Sequence, residues 1–284
     1  MPNTGWFSES ANLHFLGVVL LLLLLVGSCF LPKPRKRWNV FFEFLILAAV
    51  LVGRLPVILA GRLSNPDESQ IIAGAATLWQ RPEFWKWVDG TTISPLSFYS
   101  LWIGKFFALD FGYLSARLIC AVFFAGTLIA LYRFLRNHFP EIVARVSTVP
   151  FASFGCLVLF WDIVQYGNEA AAIFFLSVGI ALAFPAREAL GRNYVRMAGA
   201  GLALGAVPFA KLHVGPMAVF VGVTALIAVI RRFEQPGRPG RVFALIAGAL
   251  VVPSIIAVYL SIYGLGNQFL TSFLKNNYAY TQAN

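Results

Sequence analysis

Long apolar runs are the feature that most constrains how this chain can fold. They approach or reach the roughly 20 consecutive apolar residues that a helix needs to cross a bilayer. Only 12% of the residues are charged, against about a quarter in soluble domains, so little polar surface is available to cover the runs. We therefore predict an all-α, polytopic membrane protein with about eight transmembrane helices. The runs cover residues 13–31, 40–60, 118–135, 146–161, 170–184, 197–210, 216–230 and 242–263.

The basic residues lie almost entirely between the apolar runs, and their placement predicts an orientation. A formal net charge of +10 would suggest nucleic acid for a soluble protein, but charges confined to loops indicate topology instead, and we expect no nucleic-acid partner. Every second loop is basic, which assigns these loops to the cytoplasm and the N-terminus to the outside. The basic loops contain Lys33, Arg35, Lys36, Arg37, Arg133, Arg136, Arg145, Arg187, Arg192, Arg196, Arg231, Arg232, Arg238 and Arg241.

Cysteines and glycines inside the runs indicate packing. The cysteines have no paired spacing, which argues against a disulfide framework or a thiolate metal site. They are Cys29, Cys120 and Cys156. A glycine cluster lies in an apolar run without a preceding strand, so close approach of two helices explains it better than nucleotide binding. Its members are Gly199, Gly201 and Gly205.

Residues 61–113 form the first large external loop, and we predict two amphipathic surface helices within it. The loop has about fifty residues, too many for a hairpin. Asn65 can cap a helix that runs from Pro66 to about Leu78, and the proline suits its first position. Residues 95–108 predict the second surface helix.

Acidic residues at the predicted outward face are the candidates for chemistry. Asp67 and Glu68 lie at the start of the first surface helix, where carboxylates complement the positive helix end. Glu169, with Asp162 upstream, opens the fifth run on the same face. Carboxylates from separate loops at one face are what an externally directed active site requires. The alternative for each of them is a solvated carboxylate without a function.

Basic residues near the same face are candidates for binding phosphate. Arg54 lies near the outer end of the second run, where a charge either faces a polar cavity or extends to the membrane interface. Lys211 and His213 interrupt the apolar block between residues 197 and 230. This break is either a simple turn or a phosphate site.

Four segments of the chain, in their order and spacing, resemble the GT-C class of polytopic glycosyltransferases. This class includes protein O-mannosyltransferases, aminoarabinose transferases of lipid A and related bacterial lipopolysaccharide sugar transferases. The segments are PDESQIIAGAATL, SPLSFYSLWIGKFFALDFGYLSARLICAVFFAGTLIALYRFL, GNEAAAIFFLSVGIAL and AGLALGAVPFAKLHVGP. The chain departs from the family at Ile93-Ser94-Pro95, where members commonly have His-Pro-Pro. Members also have more spans, so we expect residues 1–284 to form one transmembrane domain, the N-terminal portion of a longer module.

The resemblance implies an inverting glycosyltransferase of the bacterial cytoplasmic (inner) membrane, with its active site facing the periplasm or outside. Its donor would be a polyprenyl-phosphate sugar embedded in membrane lipid, and its acceptor a hydroxyl of a cell-envelope lipid, glycan or protein. Asp67 would act as general base, Glu68 would assist it or hold a metal, and Glu169 corresponds to a second external acidic position. The groups expected to stabilise the departing phosphate are Arg54, Arg117, Lys211 and His213.

A metal and two other functional classes stay open at this point. Oxygen ligands from Asp67, Glu68 or Glu169 suit magnesium or manganese, whereas His213 suits zinc. Arg117 has an alternative as an interface anchor. A secondary transporter or lipid-carrier flippase competes with the enzyme, although inverted repeats and charges near mid-bilayer are not evident. A non-catalytic assembly subunit is the third class, and the sequence does not indicate an oligomeric state.

Overall fold

The described part of the chain is helical in the computed structural model. It comprises residues 5–30, 36–60, 66–88, 90, 93–157, 166–167, 169–184, 194–231 and 238–283. Within these ranges no β-strand forms. Two residues, Phe84 and Val88, pair through an isolated β-bridge. The all-α prediction is therefore confirmed for the described residues. Asn65 and Asp162, predicted as a helix cap and an outer carboxylate, lie outside them.

Each predicted apolar run overlaps a described helix. The helices are α1 (Gly5–Ser28), α2 (Lys36–Leu59), α3 (Pro66–Gln80), α4 (Pro95–Tyr99), α5 (Trp102–Phe106), α6 (Tyr113–His138), α7 (Glu141–Leu157), α8 (Ala170–Ala183), α9 (Tyr194–Ala210), α10 (Gly215–Arg231) and α11 (Arg238–Tyr263). A 3₁₀ turn, Leu212–Val214, separates α9 from α10. The chain then continues through Gly266–Gln268, a π-helical stretch Phe269–Asn276, and Asn277–Ala283.

Five of the described helices, α1, α2, α6, α10 and α11, are long and apolar enough to cross a membrane. This supports the prediction of an integral membrane protein. Helix α10 itself has 17 residues and reaches this length together with the preceding 3₁₀ turn, as Leu212–Arg231. Helices α7, α8 and α9, with 17, 14 and 17 residues, do not reach it. Eight spans, and their orientation, therefore stay predictions.

Helix α6 is the central element, because it contributes to two separate hydrophobic clusters. One face packs towards α3, α4, α8 and α9, and the other towards α1, α2 and α7. The spacing of three and four residues puts each set on one side of the helix. The first set is Ala116, Ile119, Cys120 and Phe123; the second is Ala121, Ala125, Leu128 and Tyr132.

A histidine in α1 compensates for a proline in α2. Pro56 lies inside α2 and has no N–H, so the carbonyl of Val52 loses its usual helical donor. The Nε2 atom of His14 lies 2.8 Å from that oxygen. Apolar surroundings make an unpaired carbonyl costly, so this hydrogen bond explains how the helix tolerates the proline.

The glycine prediction is confirmed for two of its three members. A Cβ atom on Gly201 would lie 2.0 Å from the carbonyl oxygen of Leu245, and one on Gly205 would lie 2.2 Å from that of Ala249. The Ala249 carbonyl lacks its helical donor because the residue four positions later is Pro253. Helices α9 and α11 thus pack with their backbones in contact. A Cβ atom on Gly199 would lie 3.4 Å from the side chain of Leu182 and within 4 Å of no backbone atom of another described helix.

The segment between α2 and α6 contains the first helix predicted for it, but the predicted second helix is divided. Residues 95–108 form α4 and α5, separated by Ser100 and Leu101. The amides of Leu101, Ile103 and Gly104 bond to carbonyls three residues earlier, which tightens the chain into a 3₁₀-like turn. The Ser100 hydroxyl also donates to the Leu96 carbonyl at 2.6 Å. Such local hydrogen bonding competes with a continuous α-helix.

All three cysteines are buried, in agreement with their predicted role in packing. Cys120 and Cys156 each belong to a hydrophobic cluster, and so does Cys29. Their role in this fold is packing.

We predict that Gly201→Ala destabilises the protein by about 1–3 kcal/mol, because the new methyl group would overlap the Leu245 carbonyl. The matched control is Gly222→Ala in α10, where the nearest atom to a new Cβ is 3.9 Å away. That change should be neutral or slightly stabilising, since alanine favours a helix. Thermal unfolding in detergent measures both, and equal shifts in Tm for the two variants would contradict close packing at Gly201.

Candidate functional site

A buried ion pair joins the start of α3 to the start of α6. Arg117 donates from Nε to both carboxylate oxygens of Glu68, at 3.0 and 3.2 Å, and from Nη2 to Oε2 at 2.7 Å. Both side chains are about 1% exposed. Charge-assisted hydrogen bonds in multidentate pairs are stronger than those between neutral groups. Because both side chains are buried, either charge would be strongly destabilising without the other.

The remaining donors of Arg117 cap the end of α2. Its Nη1 donates to the carbonyl of Val57 at 3.0 Å and also to that of Ala60. The last carbonyls of a helix have no partner within the helix, so they need donors from elsewhere. The guanidinium also lies 5.0 Å from the ring centre of Tyr113. Arg117 thereby fixes α2, α3 and α6 together at one point.

Tyr166, in the segment before α8, contacts the same ion pair. The backbone N–H of Tyr166 donates to Oε1 of Glu68 at 3.1 Å. The Tyr166 side chain is fully buried, and this burial raises the pKa of its phenol, which keeps the side chain neutral. Both oxygens of Glu68 therefore have donors from the protein.

Three residues after Tyr166, Glu169 forms an ion pair with Lys211. The Lys211 Nζ atom lies 3.0 Å from Oε1 of Glu169, and the two side chains are 13% and 53% exposed. Lys211 follows the last residue of α9, Ala210, whose carbonyl accepts a hydrogen bond from the Ser97 hydroxyl at 3.0 Å. The start of α4 is therefore fixed beside this pair.

These contacts bring the predicted carboxylates to one end of the bundle, which we call the carboxylate end, defined by Asp67, Glu68 and Glu169. The C-terminal ends of α2 and α9 and the N-terminal ends of α3, α6 and α8 meet there. Asp67 is exposed, one residue from the buried Glu68. His213, in the 3₁₀ turn after Lys211, is also exposed.

Arg54 is a buried cation in α2. It is 1% exposed, and its Nε and Nη2 atoms have no hydrogen-bond partner within the described part of the chain. Its charge lies near Cys120 and Cys156. A buried guanidinium with unsatisfied donors is unusual, and a phosphate oxygen is one group that would satisfy it.

Metal ligation finds limited support in the geometry. Among the residues that the structure describes, no three His, Cys, Asp or Glu side chains come together in a way that could hold a metal ion. Both oxygens of Glu68 already accept hydrogen bonds from Arg117. Asp67 is thus the outward-facing carboxylate of the predicted pair, and any metal there would draw its other ligands from outside the described side chains.

The sequence identified Glu68 and Arg117 separately but not their pairing. They are 49 residues apart, and no local pattern links them. The Tyr166 amide and the carbonyls of Val57 and Ala60 were missed altogether, because backbone groups carry no residue-type signal. Every helix leaves its last carbonyls without internal donors, so an outside donor was expected at the end of α2, but no sequence pattern indicated that Arg117 supplies it.

Comparison with known proteins gives no match of any kind: no family model, no curated protein and no solved structure is similar to this chain. The functional argument therefore depends on the residues of the chain itself.

We predict that Glu68→Ala costs about 3–5 kcal/mol, because it leaves the Arg117 charge buried without its partner. The matched control is Glu43→Ala, which breaks the pair between Glu43 and the half-exposed Arg133 and should cost at most about 1 kcal/mol. Thermal unfolding in detergent gives the comparison.

A double variant tests the same reasoning. Replacing both partners, in Glu68→Met with Arg117→Met, removes the buried charges together and should recover part of the lost stability. We call the Glu68–Arg117 ion pair a clamp because it joins α2, α3 and α6. If Glu68→Ala lowers Tm no more than Glu43→Ala does, the pair does not hold these helices together.

Proposed function

We propose that this chain belongs to a membrane glycosyltransferase that moves a sugar from a polyprenyl-phosphate donor to a hydroxyl of a cell-envelope acceptor. The single observation that carries the proposal is the convergence at the carboxylate end. There the exposed Asp67, the Glu68–Arg117 clamp and the Glu169–Lys211 pair come together from distant parts of the sequence. The resemblance of the four segments to GT-C enzymes supports the same activity.

Asp67 is proposed as the general base. The acceptor oxygen attacks the anomeric carbon and forms the new glycosidic bond, while its proton passes to the Asp67 carboxylate. Asp67 is exposed and lies in the first turn of α3. The buried Glu68 cannot take this role while Arg117 holds it, so we assign it to positioning: it fixes the helix that presents Asp67.

Cationic groups are proposed to accept the departing phosphate. The bond between the anomeric carbon and the phosphate oxygen breaks, and the electron pair leaves with polyprenyl phosphate. Lys211, mostly buried beside Glu169, is positioned to stabilise that charge. Arg54 has donors to offer, and His213 is exposed in the adjacent turn. Arg117 contributes indirectly, since its donors already bind Glu68 and α2.

We further propose that the carboxylate end faces outward, towards the periplasm of a bacterial inner membrane. The motivating pattern is the distribution of basic residues: the opposite ends of α2 and α6 contain Arg37, Arg133 and Arg136. Basic loops favour the cytoplasmic side.

We predict that Asp67→Asn lowers turnover by at least about 100-fold, because the amide cannot accept the proton of the acceptor hydroxyl. The control is Asp110→Asn in the same external loop. Asp110 is an exposed carboxylate whose pKa is held below its usual range by Lys105, 2.7 Å away. Release of polyprenyl phosphate from a panel of polyprenyl-phosphate sugars, with envelope extract as acceptor, measures turnover. Undiminished turnover in Asp67→Asn would remove the catalytic assignment.

Cysteine labelling tests the orientation. The native cysteines are buried, so a membrane-impermeant maleimide should report on introduced ones. Asp67→Cys should be labelled from outside intact cells, whereas His138→Cys, exposed at the other end of α6, should be labelled only after the membrane is opened. The reverse pattern would refute an outward-facing site.

A reconstituted preparation separates the enzyme from a transporter or flippase. In proteoliposomes, the proposal requires a new glycosidic bond to appear when donor and acceptor are supplied. Movement of the lipid-linked sugar across the bilayer without bond formation would identify a transport function instead.

A further inference from the structure

A cavity of about 760 Å³ lies at the opposite end of the bundle from the carboxylates. Helix α6 forms its floor, and its walls come from α2 on one side and from α8 and α9 on the other. Arg133, in this cavity, follows Arg117 by 16 residues in one helix, a distance of about 24 Å along the axis. The cavity is therefore separate from the proposed active site. We call it the arginine cavity, after Arg133, Arg136 and Arg196.

One part of the arginine cavity is polar and carries an excess of positive charge. Its polar lining consists of Asn39, Glu43, Arg133, Arg136, Asn137 and Arg196. Arg133 neutralises Glu43 through two hydrogen bonds, at 2.8 and 2.6 Å. Arg136 forms no ion pair with any described residue, and its guanidinium lies 5.4 Å from the ring centre of Tyr132. Its charge is available to an anion in the cavity.

A second guanidinium is held in place at the cavity wall. Arg196 donates from Nε to the carbonyl of Leu182 at 2.9 Å and from Nη2 to that of Ala181 at 2.7 Å. These carbonyls belong to the last turn of α8, where helical donors run out. Backbone carbonyls of α8 therefore orient this side chain.

The remainder of the cavity is apolar and extends to the outer surface of the bundle. Its apolar lining includes Val40, Ile129, Phe174, Val178, Leu182 and Val195. Val40 is 60% exposed and Val195 is 84% exposed, so the apolar wall reaches the surface that would face lipid. On the floor, Gly126 lets the Phe174 ring approach closely, since a Cβ atom there would lie 2.6 Å from that ring.

We propose that the arginine cavity binds an anionic phospholipid of the adjacent leaflet, with the phosphate of the headgroup at Arg136 and Arg196 and an acyl chain along the apolar wall. A guanidinium matches phosphate in charge and in hydrogen-bond geometry. A zwitterionic lipid would leave the excess charge unmatched, and a soluble anion would leave the apolar wall unoccupied. Basic pockets between membrane helices on the cytoplasmic side suit such headgroups. This inference is independent of the proposed transferase activity.

Lipid-dependent stabilisation of the purified full chain tests this site. In detergent, phosphatidylglycerol should raise Tm in a saturable manner, whereas phosphatidylcholine of the same chain length should not, because a ligand that binds the folded state stabilises it. Arg136→Gln should weaken the apparent affinity for phosphatidylglycerol about tenfold, the loss expected for one charge-assisted hydrogen bond. Arg136→Lys, which keeps the charge, should lose less.

The matched control is Arg231→Gln at the exposed end of α10, an arginine that does not line the cavity. It should leave the phosphatidylglycerol effect unchanged. Equal losses for Arg136→Gln and Arg231→Gln would mean that lipid responds to overall charge, which overturns the site. Equal stabilisation by the two lipids overturns headgroup recognition. Full competition by inorganic phosphate or glycerol phosphate would identify a free-phosphate site and overturn the lipid assignment.

Discussion

The structure depends on arginine side chains that satisfy the carbonyl ends of neighbouring helices. Backbone groups in apolar surroundings cannot bond to water, so a helix end that is buried there needs donors from the protein. Arg117 supplies donors to the end of α2, and Arg196 to the end of α8. Arg145 does the same for α1, with Nη1 2.5 Å from the carbonyl of Ser28, its last residue. These three buried or partly buried arginines thus hold neighbouring helices of an apolar bundle together.

This capping determines which of the two adjacent carboxylates is buried and which is exposed. Arg117 needs a negative partner because it is buried, and Glu68 provides one. Successive residues of a helix point about 100° apart, so a helix that buries Glu68 turns the preceding Asp67 outward. The same face of α3 buries Ile71, Ala75 and Leu78, which follow Glu68 at helical spacing. Packing of α3 and exposure of Asp67 are therefore consequences of a single orientation.

Helix α6 connects two chemically different ends of the molecule. At its start, Arg117 donates its hydrogen bonds to Glu68 and to the end of α2. Near its end, Arg133 and Arg136 border a cavity with apolar walls. Between these ends, α6 has two apolar faces, and each packs into a different hydrophobic cluster of the bundle. An apolar helix with charges confined to its ends can stabilise the fold at its centre and present different polar groups on the two sides.

Local sequence patterns predicted the helical class and the approximate position of each long helix. Pro66 indicated the start of α3, and the glycines of α9 indicated close approach of another helix, but only the structure identifies that helix as α11. The sequence did not determine the division between α4 and α5, because that depends on local hydrogen bonds of Ser100. Nor did it give Glu68 its partners, which lie 49 and 98 residues away in Arg117 and Tyr166. Only the tertiary structure decided that Glu68 is buried against Arg117 and that Asp67 is exposed, since burial and charge pairing depend on distances in space that residue order does not contain.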